Sequence, residues 1–227
     1  MNTNEKIDRI RQMMKDKNIA AVVIPSDDPH HSEYVAEHWQ TRKWLTGFSG
    51  SAGTAVVTLE HAILWTDFRY YIQAEKQISG SLFELYKMGE PDVPDYKKWL
   101  INTLKPGDTT GIDGNVFSMT QVKKFEKKLE TKGLLLDTMI DFTKTLWTDR
   151  PLRPNSEAFS FSDTYAGKSR GDKIREIREG MKPLEASYHL MTTLDDIAWT
   201  LNLRGQDVHT NPVNIAFLLI RPKSVSL

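Results

Sequence analysis

The residues most open to chemistry lie in Leu64-Trp65-Thr66-Asp67-Phe68-Arg69-Tyr70-Tyr71. An apolar strand running into Asp, with Arg on the first helical turn, sets a guanidinium at a sheet edge beside a carboxylate and aromatic rings. Arg is the side chain suited to bidentate recognition of a carboxylate. The same residues also read as local structure, Asp67 capping the helix and pairing with Arg69, and sequence chemistry alone favours that plainer reading. A second stretch, Gly47-Phe48-Ser49-Gly50-Ser51-Ala52-Gly53, has the glycine density of a nucleophile elbow or a phosphate cradle. An elbow needs its Ser on a sharp strand-to-helix turn, and a phosphate loop needs a following Lys and a helix N-terminus. This segment leads into an apolar strand instead, so a tight turn with closely packed backbone is expected.

Metal ligation is weakly supported. His30 and His31 adjoin Asp27, Asp28 and Glu33, but adjacent loop residues rarely aim at one ion, and no His follows at helical spacing. The plainer reading is a polar loop in which Asp28-Pro29 turns the chain and caps the next helix. His209 near Asp207 is no stronger, and Asp195 with Asp196 suits the first turn of a helix. Trp39, Trp44 and Trp65 read as core or interface aromatics. Lys123, Lys124, Lys127 and Lys128, interspersed with Glu126 and Glu130, form a solvated helix face with i,i+4 pairs.

The elements that position these residues follow from periodicity. Ile7, Ile10, Met13 and Met14 mark one face of a helix over 4–17, and Ile19 to Pro25 reads as a strand buried on both faces. Thr54–Thr58 and Ala62–Thr66 form a hairpin about Glu60 and His61. A helix capped by Asp67 spans about 69–78, a strand 83–88 and a helix 94–104. Ser118 and Gln121 make a capping box for a helix stopped by Gly133, and Leu134–Leu136 forms a short strand. Beyond 155, a helix over 172–181, a strand over 187–192, a helix over 194–201 stopped by Gly205, and strands over 214–220 and 224–227 are expected. This alternation predicts an α/β fold with a mixed β-sheet flanked by helices.

The second part repeats the opening order of the first, which implies a weak internal duplication. The expected organisation is one complete α/β domain over 1–148, a proline-bearing linker over 149–155, and a partial second copy over 156–227 that stops inside its fold. The 227 residues carry 30 basic and 30 acidic side chains, with 39% hydrophobic and 10% aromatic residues. That composition fits a folded chain and argues against nucleic acid or an anionic membrane as a bulk electrostatic partner. The absence of Cys excludes a disulfide scaffold, a thiol nucleophile and Cys-ligated metals. With a polar N-terminus and no apolar run of about eighteen residues, a cytoplasmic globular protein is expected.

Several blocks carry a resemblance. Ile24-Pro25-Ser26-Asp27-Asp28-Pro29-His30, Thr46 through Thr58, Leu64 through Tyr71, Leu146-Trp147-Thr148-Asp149-Arg150-Pro151, Thr193 through Trp199, Asn202-Leu203-Arg204-Gly205 and Asn211-Pro212-Val213 stand in the order of one family. They resemble the Xaa-Pro aminopeptidases (aminopeptidase P), in the three-domain, cytosolic-type branch of the creatinase/prolidase superfamily. The resemblance implies a hydrolase that releases the N-terminal residue from peptides with proline second. It implies two related α/β domains followed by a "pita-bread" catalytic domain, and a homodimer. That third domain supplies two Asp, one His and two Glu to a pair of divalent metal ions, usually manganese. None of those motifs occurs here, so this region is expected to bind no cofactor, to act with the missing catalytic domain, and to be inactive alone. The family's Asp-Gly-Arg-Tyr motif places a peptide-contacting Arg where Arg69 stands, making Arg69 the candidate substrate-binding residue. Phe68 replaces the motif's Gly, so a positive φ there would strain the turn. The rival readings are a non-catalytic binding or regulatory module and a creatine-type amidinohydrolase relative.

Overall fold

The structure is a computed structural model describing residues 1–227. It divides into two compact units, one comprising Met1–Pro29 with Trp39–Pro151, the other His30–His38 with Leu152–Leu227.

The first unit opens on α1 (Thr3–Asp16), where Asn2 and Glu5 form a capping box and Ile7, Ile10 and Met14 are buried. The chain continues through β1 (Ala21–Pro25), α2 (Thr41–Thr46), β2 (Thr54–Thr58), β3 (Ala62–Thr66), α3 (Tyr71–Ile78), β4 (Glu84–Lys87) and α4 (Tyr96–Thr103). It ends with β5 (Thr109–Ile112), α5 (Met119–Glu130), β6 (Leu135–Asp137) and α6 (Thr143–Leu146). The six strands form one mixed sheet in the order β4-β3-β2-β1-β5-β6. β1 pairs antiparallel with β2 and parallel with β5, so both its edges are hydrogen-bonded, and its apolar run lies between two core layers. Val22 and Ile24 join Ile7, Ile10, Leu45, Ala74 and Ile78 on one face. Ala21 and Val23 join Trp99, Leu100, Phe125 and Leu129 on the other. The expected mixed sheet between helical layers is therefore present.

The second unit contains β7 (Phe159–Ser160), α7 (Asp163–Ala166), α8 (Arg170–Met181), β8 (His189–Met191), α9 (Leu194–Leu201), β9 (Leu203–Arg204), β10 (Leu218–Ile220) and β11 (Val225–Ser226). Its three-stranded sheet, β11-β10-β8, is antiparallel throughout, as are β3, β2 and β1 in the first unit. Leaving aside β9, which pairs with β7 in a separate sheet, helix, strand, helix, strand, strand recurs with the same strand order in the sheet. Met181, Ile197, Leu201, Leu218 and Ile220 form its core.

Several local expectations change. Asp28-Pro29 caps no helix, because residues 27–36 are irregular and the next element is a short turn at Glu37–Trp39. The strand expected over 214–220 shortens to Leu218–Ile220, since the Ile215 N–H is taken by the Asp207 carboxylate. α9 ends at Asn202, which adopts φ 48° and whose N–H bonds back to Ala198 and Trp199, so Gly205 is not its stop. β5, α2, α6, β7, α7 and β9 are additions to the expected elements.

Candidate functional site

The site is built where β3 runs out of the sheet. Asp67 follows the strand in extended conformation and caps a single 3-10 turn, Phe68–Tyr70, which passes directly into α3. The Asp67 side chain accepts from the Arg69 backbone N–H at 3.1 Å, from Arg69 Nε at 2.9 Å and from Nη2 at 2.7 Å. A carboxylate that caps the turn therefore also fixes the guanidinium of the same turn as a fork. Hydrogen bonding from Arg69 holds the Asp67 carboxyl below its usual range, and the same bond raises Arg69. The plainer reading of this segment holds: the pair is local structure, and the guanidinium that it fixes remains exposed. Phe68 belongs to the 3-10 turn and does not have a positive φ, so the substitution brings no backbone strain of the kind feared.

The glycine-rich segment supports this turn from beneath. Ser51 Oγ and Tyr70 Oη lie 2.7 Å apart, a bond that lowers the Tyr70 phenol, and the Arg69 guanidinium sits 5.2 Å from the Tyr70 ring centroid. Phe48 packs edge-on to Tyr70 at 5.8 Å. A Cβ at Gly50 would come within 2.8 Å of Tyr70 Cδ1, so the close approach of this backbone to the ring requires glycine. Ser49 is tied to α3 by Gln73 and Gln77, each donating to Ser49 Oγ at 2.9 Å. The expected tight turn is confirmed, and no side chain near Ser51 is placed as a base to activate it; its partner is a phenol.

Arg42, on α2, organises the loop and was not singled out from the sequence. It is 4% exposed and donates from Nε to Ser26 Oγ at 2.8 Å, from Nη1 to the Phe48 carbonyl at 2.5 Å and from Nη2 to the Gly50 carbonyl. Its guanidinium carbon lies 4.7 Å from the Phe48 ring centroid. Ser26 in turn donates to the Gly53 carbonyl at 2.8 Å, closing the clamp around the loop. These acceptors are neutral, and burial lowers the Arg42 pKa to about 10. The available signal was a charge placed between Trp39, Trp44 and Leu45 just before a glycine-rich turn.

The remaining candidates go elsewhere. His30 is buried in the second unit, with Nδ1 2.8 Å from the Thr192 carbonyl and its ring 4.5 Å from that of Phe217. No group of three or more His, Asp and Glu side chains converges to hold a metal ion, so these residues do not fit a metal pair. Asp195 and Asp196 occupy the first turn of α9, and Asp195 accepts from Asn211 at 3.0 Å. Trp65 is a core residue whose Nε1 donates to the Pro94 carbonyl, and Trp44 stacks on Trp147 at 5.2 Å. Trp39 borders a crevice of about 20 Å³ near the carboxyl ends of β1 and β5, room for a water but not for a peptide. No helix is long and apolar enough to cross a membrane.

Two sequence profiles, both described as the creatinase/prolidase N-terminal domain, match residues 6–151 and 149–227. A probable Xaa-Pro aminopeptidase P of Laccaria bicolor is 38% identical over 229 residues, covering 100% of this chain and 36% of the relative. Xaa-Pro aminopeptidase 1 of Dictyostelium discoideum is 34% identical, covering 99% of this chain and 37% of its own length. The chain thus spans little more than a third of these curated relatives. The crystal structure of the X-prolyl aminopeptidase from Caenorhabditis elegans, described as a cytosolic enzyme with a di-nuclear active site, superposes with a TM-score of 0.94 at 31% identity. That superposition covers 99% of this chain and 38% of the nematode protein.

Proposed function

The chain belongs to the creatinase/prolidase N-terminal domain family, and from that premise we propose that it serves as the non-catalytic N-terminal region of an Xaa-Pro aminopeptidase. The parent protein would release the N-terminal residue from peptides with proline in second position. Its metal pair, manganese in this reading, would be held by residues outside this chain, as the di-nuclear site of the nematode relative suggests. Domain boundaries near residues 148 and 156, a homodimeric assembly and a cytoplasmic setting belong to the same proposal. Within it, this region restricts access to the catalytic centre and orients the incoming peptide.

The observation that carries the orienting role is the exposed Arg69 guanidinium, already aligned by the two bonds it donates to Asp67. A donor held in place before substrate arrives loses little freedom on binding, and it can grip a peptide carbonyl or carboxylate without performing chemistry. Arg69→Ala in the full-length protein is expected to lower kcat/KM for proline-second peptides about tenfold, the size of one lost charge-assisted hydrogen bond. Metal content should stay the same. An unchanged specificity constant would remove Arg69 from substrate handling.

A further inference from the structure

Three lysines of this chain, Lys6, Lys97 and Lys173, are held below the ordinary ammonium range, with burial the first cause in each. Two of them are tied down. Lys6 Nζ donates to the Trp44 carbonyl at 2.5 Å, and the buried Lys173 donates to the Trp199 carbonyl at 2.8 Å and to Asn202 Oδ1 at 2.6 Å. Lys97 differs. It stands half-buried in the first turn of α4, its ammonium 5.5 Å from the Tyr96 ring centroid and 5.4 Å from that of Phe125 on α5. Ring faces attract the cation but do not engage the nitrogen lone pair once a proton has left. The carboxylate heading this turn, Asp95, accepts from the Lys97 and Lys98 backbone N–H groups and from Lys128 Nζ at 3.4 Å, and no oxygen accepts from Lys97 Nζ. Lys128 and Lys124, both on α5, act on Lys97 as like charges against the pull of Asp95. The Tyr96 phenol, which burial pushes up, stays neutral. The basic face of α5 thus bears on one amine that has room to react.

We infer that Lys97 is a covalent modification site, the lysine of this chain that most readily accepts an acyl group from a small acyl phosphate. The reagent class follows from the surroundings. Of the two α5 lysines acting on Lys97, Lys128 is paired to Asp95, whereas Lys124 is an exposed, unpaired cation that draws an anionic reagent to this face. The neutral Nζ attacks the acyl carbon and forms a C–N bond, and the acyl C–O bond breaks with its electron pair leaving on inorganic phosphate. The proton displaced from the nitrogen passes to the departing phosphate or to water, so no further reactant is needed. The amide product is uncharged. It removes one of three crowded cations while the aliphatic stem stays against Tyr96 and Phe125.

The test treats the 227-residue chain with limiting acetyl phosphate near neutral pH and follows each lysine by peptide mass spectrometry, with the exposed Lys76 of α3 as reference. Lys97 is expected to react about threefold faster than Lys76, its larger neutral fraction being partly offset by lower intrinsic nucleophilicity. With a neutral acetyl ester as reagent, that lead should vanish above about pH 10.5, where both amines are unprotonated. Lys124→Gln combined with Lys128→Gln should shrink the lead near neutral pH, because two like charges no longer oppose the Lys97 ammonium. Lys97 reacting no faster than Lys76 would overturn the inference. So would a lead that persists at high pH, which would trace the reactivity to local access alone, or an undiminished lead in the folded double variant. Should that variant fail to fold, the pH profile of the unmutated chain decides.

Discussion

Arg42 shows how a side chain can shape a site it never presents to solvent. A buried guanidinium without a carboxylate is costly, and here three neutral acceptors and an aromatic face offset its desolvation. Removing it strands two backbone carbonyls at the centre of the loop beneath Tyr70. Arg42→Ala is therefore expected to destabilise the chain by about 2–4 kcal/mol, read as a lower urea midpoint. Arg42→Lys should recover only part of the loss, because one ammonium does not span three acceptors arranged for a fork. Wild-type midpoints in both variants would show that the loop stands without the clamp. The contrast with Asp67 and Arg69 explains what could be read in advance. Their partnership is two residues long and declares itself in the sequence, whereas Arg42 binds atoms six to sixteen positions away and sits between Thr41 and Lys43 like any surface charge.

Among the elements, the hairpin of β2 and β3 was legible to the residue, because two apolar runs are bounded by glycines and by Glu60-His61. β5 was not. Thr109-Thr110-Gly111-Ile112 lacks an apolar run, and glycine normally argues against a strand interior. The reason for the glycine is tertiary: a Cβ there would stand 2.7 Å from Ile140 Cγ1 and 3.2 Å from its Cβ. Gly111→Ala should cost about 1–3 kcal/mol by overpacking. Combined with Ile140→Ala, which opens space at that point, the loss should fall short of the summed single losses by at least about 0.5 kcal/mol. Strict additivity in chemical denaturation would mean that the two side chains do not compete for this volume. α2 escaped notice for a related reason, since it is short and its first turn lacks a side-chain cap.

At the scale of the whole molecule, 30 cations balance 30 anions, so stability against acid depends on particular carboxylates and not on net charge near neutrality. Asp207 is one. Burial works to raise its pKa, but N–H groups of Ile215 at 2.8 Å and Ser156 at 2.7 Å outweigh it and hold the group below its usual value. A carboxyl depressed in the folded state contributes fully above its unfolded pKa, near 3.9, and loses that contribution as pH falls through the folded value. Asp207→Asn should therefore lower the melting temperature at pH 7 and differ less from wild type at pH 3. A constant difference at both pH values would show that the charge is not what matters.

The interleaving of the two units has a practical outcome for anyone dissecting the protein. Residues His30–His38 are assigned to the second unit although the chain on either side of them belongs to the first. A truncation after Pro151 would thus keep a stretch whose His30 has lost the Thr192 carbonyl and the Phe217 ring. A clean single-unit reagent requires that excursion to be excised and its ends rejoined by a new loop, which a cut at the proline-bearing junction alone does not achieve.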